Sequence, residues 1–397
     1  MTTPLKPSLS LDAAAATTWD AIIIGAGVAG ASCAYLLSCA GVRTLLVDKA
    51  QFPRAKVCGC CINSSAIHSL EAMGLGDVLT SCGAIPLTNL KLMTRHRQAI
   101  VAATLGVSLS RSALDAAIIS RAVERGVSFL PEVMAQVENV EQDGRIVTLR
   151  RGEQQVRVSA WVVIAADGLG GRSLDSSEAK QVTINAHSHM GIATIMSAAP
   201  TICEKHQVLM ACSSAGYVGL VRLEDDQLNI ACALAPAFIK EQGGPAGAVI
   251  ATLAGADSAL CDALAPSLKQ ALWMGTGLLT RRRSIPAAER IFVLGDAAGY
   301  VEPITGEGMA WALRGAALLA PIAQNAAKNW HESHAAKWTQ LHQSLITKRQ
   351  LSCRVVSSIL RKPLLTRCML SFAKLWPRIA GRCIERMHAP LRIGERT

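Results

Sequence analysis

Gly25-Ala26-Gly27-Val28-Ala29-Gly30 carries three glycines at a spacing that can do phosphate chemistry. Gly25 would permit a tight turn, Gly27 would let the backbone approach a pyrophosphate, and Gly30 would let a helix pack closely on a sheet. The free N–H groups and partial positive charge of that helix's first turn suit phosphate. Asp48 stands 23 positions after Gly25. An acid there can accept hydrogen bonds from ribose hydroxyls, and an acid rather than an arginine argues against a 2′-phosphate. The pattern predicts a dinucleotide but does not choose between FAD and NAD.

Other reactive side chains cluster less tellingly. Cys58, Cys60 and Cys61 lie within four residues. A zinc site would need a second Cys/His pair at ligand spacing, and none is near, so no metal is predicted. Cys58 and Cys60 are candidates for a redox or proton-donor role, set against plain packing of apolar thiols. His331 and His334 could share a helix face but lack a third ligand, so they read as solvated. Arg281-Arg282-Arg283 reads as a solvated strand edge. No G-x-S-x-G nucleophile pattern occurs.

The elements that must position these residues follow from the hydrophobic pattern. Trp19–Ile24 is an apolar run that predicts a buried parallel strand. A helix over 29–40 closed by Gly41, then a strand over 43–47, complete a βαβ unit of about 30 residues. An antiparallel pair is expected over 87–104, turning at 95–98. A helix is expected over 112–125, stopped by Gly126, and a strand over 161–165. Short β-like runs at 192–196, 217–223 and 228–234 follow, with a turn at Asp225-Asp226. The pattern predicts one helix over 248–264, a strand over 291–294, and a long helix from near Glu307.

That last strand runs into Gly295-Asp296-Ala297-Ala298-Gly299, then Pro303-Ile304-Thr305-Gly306-Glu307-Gly308-Met309. Here the chain resembles the FAD-dependent superfamily of para-hydroxybenzoate hydroxylase and geranylgeranyl reductase. Three further stretches support the resemblance. Pro53-Arg54-Ala55-Lys56-Val57-Cys58-Gly59 is similar to a segment of the reductase branch. Ala166-Asp167-Gly168 with Arg172 resembles the hydroxylases' Asp-Gly element, and Arg111 with Asp115 resembles the family's S-R-x-x-x-D element. The four lie in order across about three quarters of the chain.

The resemblance implies FAD. It implies Asp296 on the ribityl and pyrophosphate side, the segment 303–309 beside the isoalloxazine, and the helix from Gly308 aimed at the flavin edge. Its positive end would stabilise an anionic reduced flavin. Gly25, Gly27, Ala29, Gly30, Asp48, Lys49, Arg54, Arg111, Asp167, Asp296, Gly306, Gly308 and Met309 are the expected cofactor contacts. Tyr217 and Pro303 join the two cysteines as catalytic candidates. No second dinucleotide turn appears, so NADPH or NADH is expected only as a transient donor. Two of the family's chemistries stay open, oxygen insertion into an electron-rich ring and hydride transfer to a C=C bond, while the third, halogenation, falls. The halogenase W-x-W-x-I-P signature is absent. The stretch 216–221 lacks the Trp and Pro of the reductase branch, yet Gly299 and the Cys58-Gly59 pair favour that side. The reading leans to a monooxygenase acting on a hydrophobic aromatic, polyketide or isoprenoid substrate, with C=C saturation second. An electron carrier docking to a partner is the reading from another class.

The expected fold is α/β. A Rossmann-like FAD-binding domain over 19–80, 108–180 and 281–345 is interrupted by a mostly antiparallel β substrate domain over 81–107 and 181–280. Residues 1–18 are expected to form a flexible tail. Half of the 397 residues are hydrophobic and 17% are charged, which excludes a disordered chain. Thirteen cysteines without a secretory leader indicate reduced thiols and a cytoplasmic setting. No run of about 18 apolar residues occurs, so no spanning helix is expected. Of the net charge of +11, the segment from Lys348 holds +10: twelve Lys/Arg against Glu385 and Glu395. That basic helical C-terminal segment, 346–397, contains Leu370, Phe372, Leu375 and Trp376. Its apolar residues are expected to pack on the FAD domain or to make peripheral membrane contact. No nucleic-acid motif appears, and the oligomeric state is open.

Overall fold

Trp19–Ile24 forms a strand in which every side chain but that of Asp20 is buried. Such a run needs cover on both faces, and it lies at the centre of a parallel sheet. The computed structural model describes residues 3–95, 97–141, 144–174, 182–302, 304, 306–347, 350, 353, 359 and 362–389. In this first sheet the parallel strands run in the order Ile291–Val293, Gln154–Ala165, Trp19–Ile24, Thr44–Val47 and Ser128–Leu130. Ala287–Ala288 adds antiparallel at one edge. The hairpin Met134–Glu141/Gly144–Arg151 pairs with the first half of Gln154–Ala165.

Alternation splits the sheet between two cores, as a period of two requires. Ala21, Ile23, Leu46, Ile164 and Phe292 face one core with the helices Val28–Cys39, Arg111–Glu124 and Gly308–Lys328. Ile22, Ile24, Leu45, Val163 and Val293 face the other, with Leu11 and Ala14.

The second sheet runs Met274–Leu278, Met190–Met196, Leu228–Leu234, Gly216–Arg222, Gln207–Ser213, Ile85–Thr94, Arg97–Ser108 and Cys61–Ile62. All its neighbours are antiparallel except Gln207–Ser213 beside Ile85–Thr94. Two helices, Pro245–Ala256 and Ser258–Gln270, cover one face of it. A small third sheet joins Val182–Ile184, Arg281–Arg283 and Gly299–Tyr300.

Several expectations need correction. The described part of the N-terminal stretch, residues 3–18, is no loose tail. Leu5 N donates to Phe52 O, Ser8 N to Phe129 O, and Trp19 Nε1 to Ala14 O, while Leu11–Ala15 forms a helix capped by Ser10. Those backbone pairings tie it to the first sheet. The helix expected over 248–264 is two helices, because Asp257 leaves helical geometry and accepts from Leu260 N as the N-cap of the second. Cys61–Ile62, counted with the FAD domain, pairs instead with Arg97–Ser108 of the second sheet. In the Arg281–Arg283 run only Arg282 is exposed; Arg283 is buried and donates through Nε to Ala297 O. The helices Pro363–Leu375 and Pro377–Met387 seat Leu370, Ala373 and Ala380 on Leu92, Ala99 and Val101 of the second sheet, not on the FAD domain.

Candidate functional site

The site grows from the end of Trp19–Ile24. Gly25 turns there with φ 103, and a Cβ on it would lie 2.4 Å from Ala166 O. A Cβ on Gly30 would meet Gly25 O at 1.9 Å, so the helix can start this close to the turn only with glycine. Gly27 caps the Val28–Cys39 helix with no side-chain hydrogen bond, leaving its first N–H groups open to a ligand. Asp48 ends the next strand. Its Oδ2 accepts from Ala26 N and its Oδ1 from Ala50 N, both at 2.8 Å, and Arg54 stands 3.6 Å away. Asp48 therefore fastens the glycine turn to the neighbouring strand, with lone pairs left for ribose.

Three cations from two separate stretches converge on this turn. A Cβ at Gly27 would lie 3.5 Å from Arg111 Nη2 and 3.9 Å from Arg54 Nη2. Lys56 Nζ sits 3.7 Å from Asp296 Oδ2, and a Cβ at Gly168 would lie 3.4 Å from that ammonium. Burial, then Arg111, lowers the Lys56 ammonium below its ordinary value, with Asp296 opposing. Burial also works against the Arg111 charge, but Asp115 and then Cys58 outweigh it and keep the guanidinium protonated. Asp296 belongs to the same neighbourhood, since a Cβ on adjacent Gly295 would stand 2.8 Å from Ala29 Cβ.

Cys58 lies against Arg111. A hydrogen bond from the Cys60 thiol, resisted by burial and reinforced by Arg111, brings the Cys58 thiol down to about 6. Cys60 N also points at Cys58 Sγ, 3.4 Å away, from a backbone with φ 56. That left-handed conformation is uncommon outside glycine. Cys60 itself is pushed well up by its bond to Cys58 and by burial, and burial pushes Cys61 to about 12.

On the other side, Tyr217 and Ile304 belong to one apolar cluster with Cys212, Ala233 and Leu279. The cluster joins the second sheet to the stretch before Gly308–Lys328. His189 Nδ1 and Glu302 Oε1, both buried, lie 2.9 Å apart across the same junction. Burial, then Glu302, raises the Tyr217 hydroxyl well above its ordinary value; burial, then Asp296, does so for Tyr300. Glu307 caps the long helix, and its Oε2 accepts from Trp311 Nε1. Gly306 takes φ 70 and accepts from Asn63 Nδ2, and Met309 is buried.

The expected contacts Gly25, Gly27, Ala29, Gly30, Asp48, Arg54, Arg111, Asp167 and Asp296 meet around the glycine turn. Lys49 is exposed. Pro303 lies outside the described residues. Sequence reasoning passed over Lys56, which sits inside a quoted motif, and read Arg281, whose Nη1 donates to Leu169 O, as part of a solvated strand edge. It also missed His189, for which no local pattern was available. The arrangement fits a bound FAD on its own terms: an uncapped helix N-terminus, a glycine seat, converging cations, and buried atoms without partners at Arg54 Nε, Asp167 Oδ1 and Arg281 Nε.

Sheet topology, glycine seat and cation cluster together define a dinucleotide-binding α/β protein. The chain belongs to the FAD binding domain family, matched over residues 18–332, and is a flavin-dependent oxidoreductase. It is 25% identical over 336 residues to menaquinone reductase of Mycobacterium tuberculosis, covering 76% of each chain. It is 26% identical over 253 residues to the FAD-dependent monooxygenase OpS4 of Beauveria bassiana, covering 55% of this chain and 58% of that one. A shorter match, 29% identical over 153 residues, spans 38% of this chain and 38% of an uncharacterized protein of Methanosarcina barkeri. Among solved structures, a triple mutant of the flavin-dependent brominase Bmp2 superposes with a TM-score of 0.74 at 15% identity, covering 94% of this chain and 96% of that one. That likeness is one of fold. Among the described residues, no helix is long and apolar enough to cross a membrane.

Proposed function

We propose that this flavoenzyme is a monooxygenase acting on a hydrophobic aromatic, polyketide or isoprenoid substrate, with NADPH or NADH as transient electron donor. The observation that carries the reading is the apolar cluster of Cys212, Tyr217, Ala233, Leu279 and Ile304. It sets an apolar wall of the second sheet against the stretch that the family resemblance assigns to the flavin ring.

Bound FAD supplies the redox chemistry. The chain's own residues bind, orient and exclude water. Gly27 and the open N–H groups of its helix take the pyrophosphate, with Arg54 and Arg111 beside it. Asp48 orients the ribose while holding the turn. Asp167 and Asp296 receive the ribityl side, and Lys56 can leave Asp296 for a phosphate. The N-terminus of Gly308–Lys328 favours negative charge at the flavin edge. Tyr217 and Tyr300 hold their protons at Oη at neutral pH, so each can donate a hydrogen bond to a substrate oxygen. Apart from the Tyr217 hydroxyl and the Cys212 thiol, the side chains of the apolar cluster carry no polar group to hold water beside the ring, and a drier site strengthens these interactions.

A second reading, saturation of a C=C bond, is favoured by Cys58, which lies on the Arg111 side of the site and is the side chain there best placed to exchange a proton near neutral pH. The likeness to menaquinone reductase supports it. Turnover of the pure holoprotein with NADPH and a panel of aromatic and isoprenoid compounds tests both. Oxygen-dependent NADPH oxidation with a product one oxygen atom heavier supports the first reading. An anaerobic product two hydrogens heavier supports the second. Turnover only with an added electron acceptor protein would overturn both in favour of an electron carrier.

A further inference from the structure

Among the described residues, the helices Pro363–Leu375 and Pro377–Met387 are fastened to the second sheet along one face. Leu370, Ala373 and Ala380 are buried there, and Gly381 lies so close to the sheet that a Cβ on it would stand 2.4 Å from Ala102 O. Glu385, the sole acid of the two helices, stays exposed but is tied to the sheet, where its Oε1 accepts from Thr104 N at 2.9 Å. Ser371 is held by Arg97. These contacts orient the pair and decide what the outer face presents.

That face is apolar at its centre and cationic around it. At the corner between the helices, Leu375 is 70% exposed, Trp376 53%, Ile379 48% and Phe372 39%. The rings of Phe372 and Trp376 meet as a tilted pair, with centroids 5.3 Å apart and planes at 58°. Lys374, Arg378 and Arg382 are exposed among them. Four large apolar side chains in one exposed patch are more than scattered surface residues, and such patches mark interaction sites. Lys374, Arg378, Arg382 and Arg386 are exposed against one acid, Glu385, which is engaged by Thr104 N, so the pair of helices is complementary to negative charge. Aromatic rings beside cations suit the headgroup boundary of a bilayer, where rings sit at the carbonyl level and cations meet phosphates.

We propose that the corner formed by Phe372, Leu375, Trp376 and Ile379, with Lys374, Arg378 and Arg382, docks the protein on an anionic lipid surface. The proposal is independent of the hydroxylation or saturation reading, because it concerns a face on the far helices and not the flavin site. A protein docked there could take a hydrophobic substrate straight from lipid.

Co-sedimentation of the FAD-loaded protein with vesicles of phosphatidylcholine, alone and mixed with phosphatidylglycerol, tests it. The wild type should sediment with the anionic vesicles at low salt and be released as salt rises. L375S/W376S should lose most of that binding. Each of K374S, R378S and R382S should weaken it about five-fold, the equivalent of about 1 kcal/mol per cation. Flavin content and thermal midpoint should stay as in wild type, which separates lost docking from lost folding. Brominated lipids should quench tryptophan fluorescence in wild type and less in W376L. Absent binding, equal binding to neutral and anionic vesicles, or unchanged binding in L375S/W376S would each overturn the proposal. So would conversion of a dimer to a monomer by L375S/W376S with vesicle binding intact, which would assign the corner to a second copy.

Discussion

Arg111 and Asp115 stand one helical turn apart and meet in a buried bidentate pair, with Nε–Oδ1 and Nη2–Oδ2 both at 2.8 Å. The pair presents the guanidinium to Gly27, at the mouth of the phosphate seat. Removing one partner of a buried pair strands the other's charge, at a cost of about 3–5 kcal/mol. Asp115→Asn should therefore lower the thermal midpoint and the FAD content together. Arg111→Gln should lower FAD content more than stability, because the remaining Asp115 can protonate. Flavin absorbance per chain after gel filtration, read beside thermal unfolding, checks both. Full flavin retention in a folded Arg111 variant would remove that residue from the cofactor site.

Asp48 accepts from Ala26 N and Ala50 N before any ribose arrives. Hydrogen bonds to a charged acceptor contribute about 1.5–3 kcal/mol each. Asp48→Ala should weaken FAD binding at least about ten-fold and also destabilise the apoprotein. Calorimetric titration of apoprotein with FAD gives the first quantity and denaturant unfolding the second. An apoprotein of unchanged stability would show that the two backbone bonds contribute nothing.

Gly27 and Gly30 should respond differently to alanine. A Cβ at Gly30 would meet a backbone oxygen at 1.9 Å, whereas one at Gly27 would meet only the tips of Arg111 and Arg54 at 3.5 and 3.9 Å. Gly30→Ala should fail to give stable folded protein. Gly27→Ala should fold with a wild-type circular dichroism spectrum and lose FAD, since the methyl group occupies the phosphate seat. Retained flavin in Gly27→Ala would mean the phosphates lie elsewhere.

Cys58 has a thiol lowered to about 6 from 9.0. Its alkylation by iodoacetamide in apoprotein should reach half its maximal rate near pH 6 and level off above that, because the thiolate is the nucleophile. An unperturbed thiol would still be rising at pH 8–9. Arg111→Gln should move the midpoint up. The sign for stability follows from the same shift. A depressed folded-state value stabilises the fold above the unfolded value near 9, and that contribution is lost as pH falls toward 6. Mass spectrometry of the labelled peptide checks the assignment, and a midpoint near 9 would refute the lowering of Cys58 by the Cys60 hydrogen bond and Arg111.

What the sequence determined by itself is local. Gly25, Gly27 and Gly30 are legible because each answers a backbone demand set by immediate neighbours, and Asp48 because a βαβ unit has a standard length. Trp19–Ile24, Gly216–Arg222 and Leu228–Leu234 are legible because burial on one or both faces imposes its own period. The helix break at Asp257 escaped because an apolar periodicity continues across it while one capping side chain redirects the chain. Only the tertiary structure decided which residues meet. Arg54, Lys56 and Arg111 reach one helix N-terminus from two separate stretches, His189 finds Glu302 from 113 positions away, and Leu5 pairs with Phe52. Glu385 is held to the second sheet because Thr104 N is there to bond it, and the exposed cations of the last helices stand against that one acid. Pairings of this kind depend on the path of the chain between the partners, and no residue's own neighbours encode that path.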